Sequence, residues 1–313
     1  MNRVVAFLRL IRWPNLLFIA LTQVLFHYCL LLPVFQHARF QPALNNVLLL
    51  ITAAASVLIA AAGYVINDYF DINIDHINKP GRQVVGKQVT RRWAILWHSL
   101  LSFIGVALGF YVGWKAAVWW IGPSNLMCAL LLFVYSTTFK KRLLSGNIII
   151  ALLTAWTIAL PGLASFYNLY YEGAVTMALR ARVLRFTLLY ASFAFIISLI
   201  REAVKDMEDI KGDAQNGCKT LPIVAGITAA KTYVMVWLVV LIGALVLVQF
   251  YAAQLGWWLT VVYALLFIII PLLYLIRVFF RAKAVKEYSR SSAVAKLVML
   301  TGILSLLFFK LYM

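Results

Sequence analysis

The sequence predicts an all-α, polytopic membrane protein, with about nine transmembrane helices around a central cavity open toward the cytoplasmic side. Three observations carry this expectation. The 313 residues are 64% hydrophobic and 12% charged, with a mean hydropathy of +0.92, more apolar surface than a soluble chain of this length needs. Apolar runs of about 20 residues, the length that crosses about 30 Å of hydrocarbon, recur along the chain. The basic residues gather in alternate connections between those runs. Lipid offers no partner to a free backbone N–H or C=O, so the runs must be helical.

The first run, 14–33, follows Arg3, Arg9 and Arg12. No small-residue cleavage site comes after it, so it is expected to be an uncleaved first helix rather than a secretion signal. The second, 46–69, ends in acidic residues and is followed by Lys79, Arg82, Lys87, Arg91 and Arg92. The third and fourth, 93–113 and 116–136, are separated by a short connection. Trp119 and Trp120 there are interfacial candidates. Tyr135 closes the fourth run, and Lys140, Lys141 and Arg142 follow. The fifth, 147–166, and sixth, 185–203, lead to a second acidic stretch flanked by Lys205, Lys211 and Lys219. The seventh and eighth, 231–251 and 256–276, carry Trp257 and Trp258 near their junction. Arg277, Arg281, Lys283, Lys286 and Arg290 precede the ninth, 293–312. The basic connections after even-numbered runs all fall on one side, which the positive-inside rule makes cytoplasmic in an inner or plasma membrane. Arg180, Arg182 and Arg185 dissent. They fall on the outer side and are expected to cap an interfacial helix with Tyr167, Tyr170 and Tyr171.

Net charge is +18. The cations are scattered between apolar spans, which argues against a nucleic-acid partner. Topology accounts for most of the excess, and a share is left to attract membrane lipid or a phosphorylated substrate. Cys29, Cys128 and Cys218 are far apart and form neither a C-x2-C pair nor a disulfide framework.

The acidic residues are not scattered. Every aspartate lies in one of two D-x2-D-x3-D clusters, Asp68–Asp71–Asp75 and Asp206–Asp209–Asp213. Each closes an even-numbered run, so both are expected on the same side. The chain then reads as one domain, 1–313, with two parallel pseudo-repeats at roughly 14–136 and 147–276 and a last helix. On a helix, positions i, i+3 and i+7 share a face. Asp68, Asp71 and Asp75 form one stripe, as do Asn67, Asp71 and Asp75; the second stripe is Asp206, Asp209 and Asp213, with Glu202 a turn earlier. Packed carboxylates repel unless a cation neutralises them. Mg2+, a hard ion that prefers oxygen ligands and bridges carboxylate to phosphate, suits such stripes. Pairing with nearby Lys and Arg at a solvated helix end is the plainer alternative, and two clusters of equal spacing argue against it. A cation-coupled transporter is a reading of another class, but transporter sites lie near the bilayer midplane on broken helices. No H-E-x2-H, G-x-S-x-G or Walker-type motif is present, and no histidine is assigned to metal.

The run Asn67-Asp68-x2-Asp71-x3-Asp75, followed by Asn78-Lys79-Pro80-x-Arg82, resembles the first aspartate-rich motif of the UbiA superfamily of intramembrane prenyltransferases. The run Arg201-Glu202-x2-Lys205-Asp206-x2-Asp209-x2-Gly212-Asp213 resembles the second, and Tyr135 with the following lysines and Gly146-Asn147 is similar to the family's Tyr…Lys segment. Gln83 departs from the proline common after the arginine, and Val85-Gly86-Lys87 replaces a Ser-Gly pair. The resemblance implies Mg2+-dependent transfer of a polyprenyl group from its diphosphate to a lipid-phosphate or aromatic acceptor. It implies Asn67, Asp71 and Asp75 as ligands of one ion, Asp209 and Asp213 as ligands of the other, with Asp68 and Asp206 assisting. Arg82, Lys140 or Lys141, and Tyr135 would meet the diphosphate. Lys79 and Asn15, which opens the first run, are further candidates for substrate binding, and Arg201 and Lys205 for an acceptor phosphate. The second run is most similar to members that geranylgeranylate geranylgeranylglycerol phosphate. Members acting on 4-hydroxybenzoate, homogentisate or a dihydroxynaphthoate are its rivals.

Overall fold

A computed structural model describes residues 3–78, 80–81, 83–171 and 177–312. The described residues fold into helices joined by short connections, with one isolated bridge, Val85 to Val89, in place of any strand. In chain order these are α1 (Arg3–Leu10), α2 (Trp13–His37), α3 (Asn46–Phe70), α4 (Ile72–Asn78), α5 (Arg91–Lys115), α6 (Ile121–Thr137), α7 (Ser145–Tyr171), α8 (Met177–Glu208), α9 (Ile210–Gln215), α10 (Leu221–Val224), α11 (Gly226–Gln254), α12 (Trp258–Arg281), α13 (Val285–Leu304) and α14 (Leu306–Tyr312). A 3-10 turn, Phe139–Lys141, sits between α6 and α7.

Among the described residues eight segments are long and apolar enough to cross a membrane, α13 and α14 counting as one; α6 is apolar but has 17 residues, at the short end of what spans. Against the nine or so spans expected, eight helices reach spanning length and α6, the expected fourth, is shorter. Their outer faces carry large apolar side chains, among them Phe103, Trp114, Leu247 and Phe280. Water would penalise such a surface, and lipid does not.

Local sequence explains several breaks. Arg12 takes a left-handed conformation between α1 and α2, and Pro14 opens α2. Pro33 and Pro271 each lack an N–H and crowd the preceding turn; the chain widens to π geometry just before them, at Phe26–Leu31 and Leu265–Ile269. Asn45 caps α3 by accepting from the Leu48 N–H at 2.9 Å. Gly105 lets α5 lie directly on α3, since a Cβ there would come within 2.7 Å of Ile59 and 3.0 Å of the Ala55 carbonyl.

The outer-side arginines differ from expectation. Arg180, Arg182 and Arg185 lie within the first turns of α8, and Tyr167 belongs to α7, which continues to Tyr171. There is no separate interfacial helix between them among the described residues. Hydropathy marks the apolar middle of a span, whereas backbone hydrogen bonding carries the helix on through its polar flank. Arg180 closes the corner by donating to the Leu169 carbonyl at 2.8 Å.

Candidate active site

The two aspartate clusters meet. Asn78, the last residue of α4, donates to the Asp209 carbonyl at 2.9 Å and accepts from the Gly212 N–H at 2.8 Å. Gly212 has to be glycine for this contact, because a Cβ would collide with the Asn78 carboxamide. The C-terminal ends of α3 and α8, with α4 and α9 after them, are thereby held at one end of the bundle.

In the first cluster Asp68 and Asp71 have distinct neighbours. Asp68 accepts from Arg12 at 2.7 Å, and that guanidinium lies 5.0 Å from the centre of the Tyr64 ring. Burial works against the charged guanidinium, but Asp68 and Tyr64 outweigh it and hold Arg12 above its usual range. Asp71, only 4% exposed, accepts from Asn67 Nδ2 at 2.6 Å and from the Lys140 ammonium. Burial would lower Lys140, yet Asp71 raises it above the ordinary lysine value. Gly146 makes this approach possible. A Cβ there would lie 3.0 Å from the Phe139 carbonyl, 3.1 Å from Lys140 Cα and 3.2 Å from the Tyr135 ring, so glycine lets the 3-10 turn press against α7.

In the second cluster Asp206 accepts from Asn147 at 2.8 Å. Asp213 is 5% exposed, and burial pushes its carboxyl up to about 6. One turn deeper, Glu202 pairs with Arg201 at 2.7 Å and Lys205 at 3.6 Å.

Both clusters line one cavity of about 770 Å3. Asn67, Asp71, Asp75, Asp206, Asp209, Asp213, Tyr135, Lys140, Arg201 and Lys205 all border it, as does Asn15. Asp68 sits behind Arg12, which borders it. Lys141 is exposed outside the cavity, and its carbonyl accepts from the Lys219 N–H at 2.8 Å. Lys79 and Arg82 lie outside the described residues. Beyond the charged end the walls turn apolar and aromatic, through Phe18, Leu132, Phe193 and Tyr190 to Trp257 and Phe309.

The donor chemistry fits a hard divalent ion. Asn67 Oδ1 is buried with no hydrogen-bond partner beside the Asp71 carboxylate, an oxygen left for a cation. Among the described residues no three acidic, His or Cys side chains are gathered closely enough to enclose an ion, and the Lys140 ammonium and Arg12 guanidinium neutralise Asp71 and Asp68.

Sequence reasoning missed Asn78 as the clasp between clusters, Arg12 as the partner of Asp68, and Lys296, whose Nζ reaches Asn15 Oδ1 at 2.7 Å. A signal existed for Lys296: it is a lone cation well inside a spanning helix, where a charge has to have a purpose.

Comparison with known proteins points the same way. The sequence model described as the UbiA prenyltransferase family matches residues 15–306. The digeranylgeranylglyceryl phosphate synthase of Ignicoccus hospitalis is 37% identical over 185 residues, which are 58% of this chain and 55% of that protein. The synthase of the same name from Saccharolobus solfataricus is 31% identical over 83% of each chain. The matched stretch thus spans little more than half the length of the Ignicoccus protein. Among solved structures, one described as digeranylgeranylglyceryl phosphate synthase in membranes superposes with a TM-score of 0.60 at 21% identity, covering 98% of this chain and 99% of that one. A UbiA homolog from Archaeoglobus fulgidus, bound to GPP and Mg2+, gives a TM-score of 0.59 at 16% identity over 96% of this chain and 99% of that one. At those identities the likeness is one of fold.

Proposed function

This chain belongs to the UbiA prenyltransferase family, and from that premise we propose that it moves a polyprenyl group from its diphosphate to geranylgeranylglycerol phosphate in a Mg2+-dependent reaction. One observation carries the reading: the two D-x2-D-x3-D helix ends converge on one end of a single, largely apolar cavity, with Lys140 and Arg12 among them. The names of the Ignicoccus and Saccharolobus relatives support the acceptor, and the GPP and Mg2+ of the Archaeoglobus protein support the donor and the ion.

In this reading Asn67, Asp71 and Asp75 would hold one Mg2+, and Asp209 and Asp213 the other. Bound Mg2+ supplies neutralisation of the diphosphate charge, which turns a poor leaving group into a competent one. Lys140 and Tyr135 contact the diphosphate oxygens from the protein side, with Arg82 and Lys79 assigned to the same group. Departure of the diphosphate leaves positive charge on the allylic carbon. Phe193, one of the aromatic residues lining the cavity, is assigned to favour that charge. The apolar walls keep water from the cation until the acceptor hydroxyl attacks. Asp206, which borders the cavity, is assigned to take the hydroxyl proton, and Asp68 assists by holding Arg12.

Purified protein in detergent, given geranylgeranyl diphosphate and geranylgeranylglycerol phosphate, is expected to release diphosphate only when Mg2+ is present. It should prenylate that acceptor and leave 4-hydroxybenzoate untouched. The reverse preference moves the acceptor to the aromatic class. No Mg2+-dependent release with any acceptor removes the transferase reading and favours a transporter.

The site is assigned to the cytoplasmic face, on the basic connections that surround it. Single cysteines replacing the exposed His76 and Gln215, in a background without Cys29, Cys128 and Cys218, should react with an impermeant thiol reagent from the cytoplasmic side only. Labelling from the opposite side would invert the topology.

A further inference from the structure

The cations of the cavity do not balance locally. Arg12 and Lys140 each have an aspartate. Glu202, by contrast, is shared by Arg201 and Lys205. Lys296 has no carboxylate partner among the described residues. Its Nζ donates to Asn15 Oδ1 and lies 5.3 Å from the centre of the Phe18 ring. Arg201, like Lys296, borders the cavity. An ammonium held inside an apolar bundle with no carboxylate against it is unfavourable unless an anion joins it.

The pair lies apart from the acidic mouth. Arg201 precedes Asp206 by five residues, about 7.5 Å along α8, and Lys296 follows Val285 by eleven, about 16 Å into α13. Lys296 is also held in place. Asn15, which accepts from it, donates from Nδ2 to the Tyr64 hydroxyl at 3.2 Å, and Tyr64 lies under Arg12. The last spanning helix is thus tied to the residues that position Asp68.

We propose that Lys296 and Arg201 form a phosphate subsite inside the cavity, distinct from the aspartate clusters, that takes the phosphomonoester of the acceptor. The inference rests on the prenyl-transfer reading above and adds the residues that select a phosphorylated acceptor. With a diphosphate at the mouth and a monophosphate one to two turns deeper, the allylic carbon and the acceptor hydroxyl lie between them. Arg201 and Lys205, which the sequence offers together for this role, both contact Glu202, at 2.7 Å and 3.6 Å; of the three cations, Lys296 is the one without a carboxylate partner among the described residues.

The test uses the full-length enzyme in detergent with Mg2+. Lys296→Met should raise KM for geranylgeranylglycerol phosphate by at least about tenfold, while KM for geranylgeranyl diphosphate changes less than about twofold. Lys296→Arg, which keeps the charge, should restore most of the loss. Geranylgeranylglycerol, the same acceptor without its phosphate, should show a clearly smaller difference between wild type and Lys296→Met than the phosphorylated acceptor does. Arg201→Gln should act in the same direction, which keeps the test open should one variant fold poorly. An unchanged KM for the phosphorylated acceptor in both variants overturns the subsite, including the case in which an anionic bilayer lipid occupies it. So does a matching rise in KM for the diphosphate, which would put these cations at the donor site. Wild-type enzyme that ignores the phosphorylated acceptor but prenylates an aromatic one removes the acceptor assignment, and the subsite with it, before any variant is made.

Discussion

Replacing Asp71 or Asp209 with alanine is expected to lower turnover by at least about a hundredfold, the scale on which a site loses a principal electrostatic stabiliser. The two lie on different helices and belong to different clusters, so equal sensitivity tests whether both clusters serve one reaction. Asp71 is the hub of the first: Asn67 and Lys140 both donate to its carboxylate. Asp209 borders the same cavity, and its backbone carbonyl accepts from Asn78. Losing the side chain at 209 leaves that backbone clasp in place, and thermal melting separates lost chemistry from a loosened mouth. At position 71, alanine also strands Lys140. Asp71→Asn is the matching control, since it keeps the shape and a hydrogen bond while removing the charge. Turnover should be measured at saturating prenyl diphosphate and Mg2+, alongside thermal melting in detergent. Near-normal turnover in either alanine variant would sink the two-cluster reading.

Lys140→Met should reduce kcat/KM by about a hundredfold, whereas Lys141→Met should change it by less than about threefold. The two lysines are adjacent and chemically identical, so the contrast isolates geometry. The 3-10 turn directs Lys140 into the cavity against Asp71, and Lys141 points out to an exposed position. Methionine keeps most of the apolar stem and removes the charge, leaving Asp71 buried without its cation. Equal losses in the two variants would mean that the basic segment acts only through its total charge.

Much of this protein was legible in the sequence because its signals are local. An apolar run of spanning length has to be helical in lipid, whatever surrounds it. Spacings of three and four residues put Asp68, Asp71 and Asp75 on one stripe, and Asp206, Asp209 and Asp213 on another, before any packing is known. Where spans begin and end was less legible. Polar flanks such as Arg180 to Arg185 remain helical through backbone bonds that hydropathy does not register.

What only the tertiary structure decided was which side chains meet across the bundle. Arg12 and Asp68 are 56 positions apart, Asn78 and Gly212 are 134 apart, and Asn15 and Lys296 are 281 apart. The choice of Lys140 over Lys141 depends on Gly146 allowing a turn to lie close against α7. Helical periodicity fixes the face a residue occupies on its own helix. The rotation of that helix, and the neighbour its face meets, are set by close packing at contacts such as Gly105 on α3, where steric fit between distant segments determines how near the backbones come.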